Sequence, residues 1–133
     1  MQTFLPFASF EESAKVLDKK RLFKQVVEAR QIISCLEGEG SLRWANHPAV
    51  RMWRGYEEAL KQYFNAMLYE WLLRGGRSSY TFYADGTSYE LPWWLGWDVI
   101  HSAYRSNLLR KDPIWYGKFG WTEKDDLPYV WPV

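Results

Sequence analysis

The chain is poor in the residues that most often build metal and redox centres. Its one cysteine, Cys35, excludes an intrachain disulfide and any cysteine-built zinc cluster. Two histidines, His47 and His101, leave no histidine-rich metal site to read. No apolar run approaches the roughly 20 residues of a membrane span. The opening residues, Met1-Gln2-Thr3-Phe4-Leu5-Pro6-Phe7, carry neither a basic leader nor a long apolar stretch, so no secretory signal and a cytoplasmic location are expected. A dominant charge is missing as well: 17 Lys/Arg face 16 Asp/Glu, a net charge of +1. Walker loop, GxGxxG, HExxH and GxSxG are all absent. Chemistry on such a chain would rest on side chains or the chain terminus, with no metal and no cofactor implied.

What is present is a 133-residue chain of ordinary globular composition, 47% hydrophobic and 25% charged, a length expected to form one domain over residues 1–133. Aromatic content is the outlier at 19%, with nine Trp, nine Tyr and seven Phe. So small a core is not expected to hide every ring, and surface rings point to partners with flat or apolar faces, such as bases, sugars or protein. The charge is segregated. Residues 15–54 hold nine Lys/Arg against four acids, a net +5, and residues 105–118 hold four against one, a net +3. Segregation of this kind can build a basic face on a near-neutral protein, although scattered, solvated charge reads equally well.

Ser9-Phe10-Glu11-Glu12 reads as a capping box that starts a helix running to about Leu36, closed by Gly38 and Gly40. Leu22, Val26, Ala29, Ile33 and Leu36 form its apolar stripe, and Leu17, Arg21, Lys24, Glu28 and Gln31 a second, mostly basic one. A loop over Ser41–His47 leads to Pro48, with Asn46 or His47 as cap, and a second helix is expected from Pro48 to about Arg74. Its seam is Trp53, Tyr56, Leu60, Tyr63, Met67 and Trp71, and Gly75-Gly76 ends it. Arg77–Trp97 reads as irregular, with a marginal hairpin at Tyr83–Thr87. A third, shorter helix fits Asp98–Arg110 and must stop near Asp112-Pro113. The expected architecture is all-α and compact: two long helices crossing as neighbours, a shorter third, and an irregular aromatic C-terminal segment over Ile114–Val133.

Three clusters carry candidate chemistry. Glu28 lies one turn from Lys24 and two from Arg21, which fits either a surface ion pair or a carboxylate in a cationic pocket, able to stabilise a positive intermediate or move a proton. The run from Arg105 to Trp121 interleaves Arg105, Arg110, Lys111 and Lys118 with Trp115, Tyr116, Phe119 and Trp121. Cations suit phosphates and rings suit unstacked bases, whereas a packed aromatic tail is the plainer reading. His47, Arg51 and Arg54 gather where a helix begins, a place suited to phosphate, or merely to a capping histidine.

These residues resemble the pyrimidine dimer DNA glycosylases, the family of a small phage UV-repair enzyme. Leu22-Phe23-Lys24-Gln25-Val26-Val27-Glu28 is similar to the family's catalytic-glutamate segment. His47 to Arg77, with Tyr56-Glu57-Glu58-Ala59-Leu60 and Trp71-Leu72-Leu73-Arg74-Gly75, looks like its long second helix. Arg110-Lys111-Asp112-Pro113-Ile114-Trp115-Tyr116-Gly117-Lys118-Phe119-Gly120 resembles its aromatic C-terminal segment. Arg105 to Pro113 and Asn46-His47-Pro48 are typical of a phage and bacterial branch. The resemblance implies an all-helical fold and a bifunctional reaction on damaged or modified pyrimidines in duplex DNA. An N-terminal amine attacks C1′, an imine links enzyme to sugar, and β-elimination cuts the strand. It places the catalytic roles on Glu28 and Met1; Gln2 is bulky, so Met1 is expected to be retained. An α-amine ordinarily titrates at about 7.7–8.0, so part of it is neutral near pH 7. Lys20, Arg21, Lys24, His47, Arg51, Arg105, Arg110, Lys111, Trp115, Tyr116 and Lys118 are then expected to contact DNA, and the protein to act as a monomer away from membranes. A non-catalytic nucleic-acid-binding module, a helical protein-interaction module and an enzyme acting on modified nucleotides stay open beside this reading.

Overall fold

A computed structural model describes residues 1–39, 42–86 and 88–133, with Leu42 through its backbone only. The expected roles of Gly40, Ser41 and Thr87 therefore lie outside the described residues. The fold is all-α, as expected. Among the described residues six α-helices follow in order: α1 (Phe10–Val16), α2 (Lys19–Leu36), α3 (Pro48–Arg51), α4 (Glu57–Leu73), α5 (Asp98–Lys111) and α6 (Pro113–Gly117), with a 3₁₀ turn at Leu42–Trp44. The two long helices, α2 and α4, pack against each other, and α1 lies against α4. Among the described residues no helix is long and apolar enough to cross a membrane.

The stripe expected on α2 is the one it buries. Leu22, Val26, Ala29 and Ile33 are inaccessible and meet Leu60, Tyr63, Phe64 and Met67 of α4. Burying a side chain of this size contributes about 1.5–3 kcal/mol, so this interface dominates the stability of the pair. Cys35 is partly buried beside it.

The first long helix is not continuous. Leu17 is extended (ψ 138°), and Asp18 restarts the helix by accepting the Arg21 N–H (3.3 Å). The break is tolerated because the exposed carbonyls of α1 find donors. Arg74 donates to Leu17 O (2.8 Å), Ala14 O (3.2 Å) and Lys15 O (3.0 Å), and the Trp115 indole donates to Val16 O (2.8 Å). Ser9 caps α1 through the Glu12 N–H (3.1 Å), but the Glu12 carboxylate turns to Lys15 (3.4 Å) rather than back to the cap. The second long helix is broken too. His47 Nδ1 caps α3 through the Ala49 N–H (3.0 Å). Gly55 then takes a positive φ of 89°, where an L side chain is strained, and Glu57 accepts its N–H (3.1 Å) before α4 begins.

Residues 1–7 form no helix, yet Thr3, Phe4, Leu5 and Pro6 are buried. Their backbone is satisfied by side chains from three helices. The Phe4 N–H donates to Gln25 Oε1 (2.9 Å) and the Tyr63 hydroxyl (3.0 Å), and Phe4 O accepts from that hydroxyl (2.9 Å). Leu5 O meets His101 Nδ1 (2.8 Å), and Pro6 O accepts from Arg105 (2.8 Å). The Trp53 indole donates to Thr3 Oγ1 (3.2 Å).

No strand forms among the described residues of the 77–97 segment, so the hairpin expectation is not met there. Asn65 of α4 takes the place of a partner strand. Its amide accepts the Tyr83 N–H (2.9 Å) and donates to Tyr83 O (3.0 Å). The tail is not wholly irregular either, because Asp112 and Pro113 start α6 through the Trp115 N–H (3.0 Å). The rings distribute differently from expectation. Tyr116 is inaccessible and stacks on Trp121 (centroids 5.7 Å apart), which packs edge-on against Phe7. Trp94 is inaccessible beneath Trp53, while Trp93 is 65% exposed and Trp97 41%.

Candidate functional site

The site forms where the N-terminal segment crosses the start of α2. Burial acts to raise the pKa of the Asp18 cap. Hydrogen bonds from the Tyr116 hydroxyl and from the Arg21 backbone and side chain, with the Arg21 charge, outweigh it and hold the carboxyl below its ordinary value. Tyr116 donates to this carboxylate and accepts the Asp18 N–H (3.0 Å), so the C-terminal part of the chain fixes the start of α2.

From that fixed end, Lys20, Arg21, Lys24 and Glu28 project along one side of α2. The Glu28 side chain is only 13% exposed. Its Oε2 accepts the Gln2 N–H (3.1 Å) and lies 3.5 Å from Gln25 Nε2, and its Oε1 lies 3.8 Å from Lys24 Nζ. Three bonds of about 4.3 Å total contour separate the Gln2 nitrogen from the Met1 amine. The amine therefore lies within about 7 Å of the carboxylate, given the 3.1 Å hydrogen bond between them. A pocket of about 280 Å³ opens here. Met1, Gln2 and Phe4 line one side, Lys20, Arg21, Lys24 and Glu28 the other, and Lys111 closes it from α5. Four cations around one carboxylate and an amine favour an anionic ligand.

Of the residues singled out in the sequence, the fold brings Met1, Lys20, Arg21, Lys24, Glu28 and Lys111 to this pocket. His47 is close enough to sense it. Burial first, and the Met1 amine next, lower its pKa, against the opposing pull of Glu28. Its ring sits between the edges of Trp44 (5.8 Å) and Trp131 (5.9 Å). Arg51 is exposed at the end of α3. Arg105, expected to face DNA, instead holds Glu123 (2.8 Å) and Pro6 O, and its guanidinium is committed to the interior. Arg110 binds Asn107 and Asp125 O and lies over Tyr129. Lys118 sits on the Trp115 ring (3.3 Å to the centroid), and that indole is itself bonded to α1. Tyr116, expected as a base-contacting ring, is buried with its hydroxyl on Asp18, because capping α2 consumes it.

Sequence reasoning missed Gln25 and Tyr63 as parts of the site. A lone Gln three residues from Glu28, on an otherwise apolar stripe, was the available signal for Gln25. Tyr63 read as an ordinary seam residue. Two larger hollows, of about 510 and 570 Å³, lie elsewhere, one under Phe82 and Tyr89 and the other between Trp71 and Trp115. Neither includes Glu28 or the terminus. Among the described residues no group of three His, Cys, Asp or Glu is placed to hold a metal.

A near-buried glutamate beside an N-terminal segment, ringed by cations on a helical fold, suits an anionic ligand. The family model described as pyrimidine dimer DNA glycosylase matches residues 1–84, and the chain belongs to that family. Comparison with curated proteins and with solved structures gave no match.

Proposed function

We propose that the protein is a DNA glycosylase with AP-lyase activity, acting on damaged or modified pyrimidines in duplex DNA as a monomer of one domain. The observation that carries this reading is the Gln2 N–H on Glu28, which ties the terminal amine to a carboxylate inside a cationic pocket. The residues beyond the family match support one domain, since Trp115, Tyr116 and Arg105 bond to α1, α2 and the N-terminal segment.

In this mechanism Lys20, Arg21, Lys24 and Lys111 hold the phosphates flanking the target nucleotide. The neutral Met1 amine gives its lone pair to C1′. The C1′–N bond breaks, its electrons leave with the base, and the base takes a proton. Glu28 stabilises the positive charge that develops on the sugar. Ring opening gives an imine between Met1 and C1′. Removal of a C2′ proton then expels the 3′ phosphate by β-elimination, and water releases the enzyme. Displacing a nucleotide costs a few kcal/mol, least at a lesion that already stacks badly.

Borohydride trapping tests this on duplexes carrying an abasic site or a cyclobutane dimer. Native protein should give a covalent complex with each. Glu28→Gln should lose most trapping and still bind DNA. Salt-sensitive binding without trapping on either duplex would leave a DNA-binding module in place of an enzyme.

A further inference from the structure

The hollow of about 510 Å³ under Phe82 and Tyr89 takes no part in the chemistry at Glu28. It lies between the start of α1, the middle of α4 and the segments that carry those two rings. Its walls are already held in place. Asn65 pairs with the Tyr83 backbone through both amide atoms (2.9 and 3.0 Å), and Gln62 donates to Ala84 O (3.1 Å). The stretch that holds Phe82 and Asp85 is thereby fastened to α4. Tyr89 folds back on this stretch, close enough that a Cβ on Gly86 would sit 2.7 Å from its ring.

Two kinds of group line the hollow. Tyr69, Phe82 and Tyr89 bring exposed rings, and Phe10 brings a buried one. The charged groups are Glu11 and Asp85, and among the described residues no Lys, Arg or His joins them. Neither carboxylate belongs to an ion pair among the described residues. The sign is thus opposite to that of the Glu28 pocket, where cations surround a single carboxylate. An aromatic face is negative at its centre and attracts an ammonium or guanidinium within about 6 Å. Rings and carboxylates therefore favour the same ligand, a cation, and the rings favour one with apolar surface. A bare metal ion does not suit, because no group of three His, Cys, Asp or Glu gathers among the described residues. Nor does the start of α1 reverse the sign, since Ser9 Oγ already takes the Glu12 N–H (3.1 Å) and the helix has only seven residues. The volume falls within the roughly 300–1,000 Å³ of small-molecule sites.

We propose that this hollow binds a small organic cation, an alkyl- or arylalkylammonium whose charge lies with Glu11 and Asp85 and whose apolar body lies on Tyr69, Phe82 and Tyr89. It is independent of the glycosylase reading, because the hollow and the Glu28 pocket share no lining residue.

The test titrates the full chain with three probes of similar shape, 2-phenylethylammonium, 2-phenylethanol and 3-phenylpropionate, at pH 7 and low salt, following backbone amide shifts by NMR. The ammonium should bind at least about fivefold tighter than the alcohol, through rings and carboxylates together, and the propionate should bind more weakly still. Shifts should gather at residues 8–11, 62–69, 82–86 and 89–95. The double variant Glu11→Gln, Asp85→Asn should bring the ammonium down to the affinity of the alcohol. No binding of the ammonium, or equal binding of ammonium and alcohol by the native protein, overturns the proposal whether or not the variant folds. Shifts centred elsewhere, or an ammonium preference that the folded double variant retains, overturn it as well. Acetyl-Phe-Lys-amide binding at least tenfold tighter than 2-phenylethylammonium overturns it in favour of a protein partner.

Discussion

Replacing Tyr63 by Phe removes one oxygen from the centre of the molecule and leaves its packing volume nearly unchanged. That hydroxyl is inaccessible to solvent. It accepts the Phe4 N–H (3.0 Å), and its proton is shared between Phe4 O (2.9 Å) and Gln25 Oε1. In the variant the Phe4 N–H keeps Gln25 Oε1 at 2.9 Å, but Phe4 O loses its donor. An unsatisfied buried acceptor costs about 1–3 kcal/mol, and each lost hydrogen bond about 0.5–1.5 kcal/mol. The two overlap, so the expected loss is about 2–4 kcal/mol. Unfolding entropy of roughly 2.1 cal/mol/K per residue gives about 0.28 kcal/mol/K for a chain of this length, and a Tm lower by about 7–14 °C. Thermal melts of the two proteins, followed by circular dichroism at pH 7, measure it. A fall of less than about 2 °C would refute the view that this hydroxyl anchors the N-terminal segment. The same loosening should reduce borohydride trapping, because Met1 reaches Glu28 only through that segment.

Two further outcomes follow from titrating groups. His101 Nε2 accepts the Gly96 N–H (2.8 Å) and Nδ1 faces Leu5 O (2.8 Å), an arrangement that only the neutral ring, protonated on Nδ1, satisfies. Burial first, with the Arg105 charge, outweighs Leu5 O and Asp98 and holds its pKa below the ordinary 6.5. The unfolded chain therefore binds the proton at higher pH than the folded one, and this stability is complete above about pH 6.5 and lost as pH falls through the folded value. Tm should decline from pH 7 to pH 5 and His101→Gln should reduce that slope, His47 supplying the remainder; an unchanged slope counts against it. Asp18, also lowered, contributes stability above its ordinary pKa of 3.8 that disappears as pH drops through the folded value. Asp18→Ala should cost about 1–2 kcal/mol by removing the α2 cap, read as a lower urea midpoint at pH 7, and identical midpoints would contradict the capping role.

Short-range signals were legible along the chain. The α2 stripe at spacings of three and four, the Ser9 and His47 caps, the Gly75 stop and the Pro113 limit on α5 all depend on atoms within a turn or two of each other. They were enough for the helical class, the neighbouring long helices and the cationic setting of Glu28. Gln25 was visible as an oddity on its stripe, but its partners were not. The rings were misjudged because a Trp or Tyr beside Lys and Arg looks the same in sequence whether its polar atom meets DNA or an α1 carbonyl.

By itself, then, the sequence determined an all-α protein, the outer limits of its two long helical stretches and of α5, and which two sides of α2 carry the apolar stripe and the acid. Tertiary structure alone decided where the long helices break and how the N-terminal segment reaches Glu28. The reason is the reach of the bonds involved. Continuing the helix through Leu17 would satisfy its carbonyl locally, and interruption becomes tolerable only because Arg74, 57 residues away, and Trp115, 99 residues from Val16, supply the donors. Likewise residues 1–7 have no helical or strand signal of their own. They are held by Gln25, Tyr63, His101 and Arg105, which come together only after α2, α4 and α5 have packed.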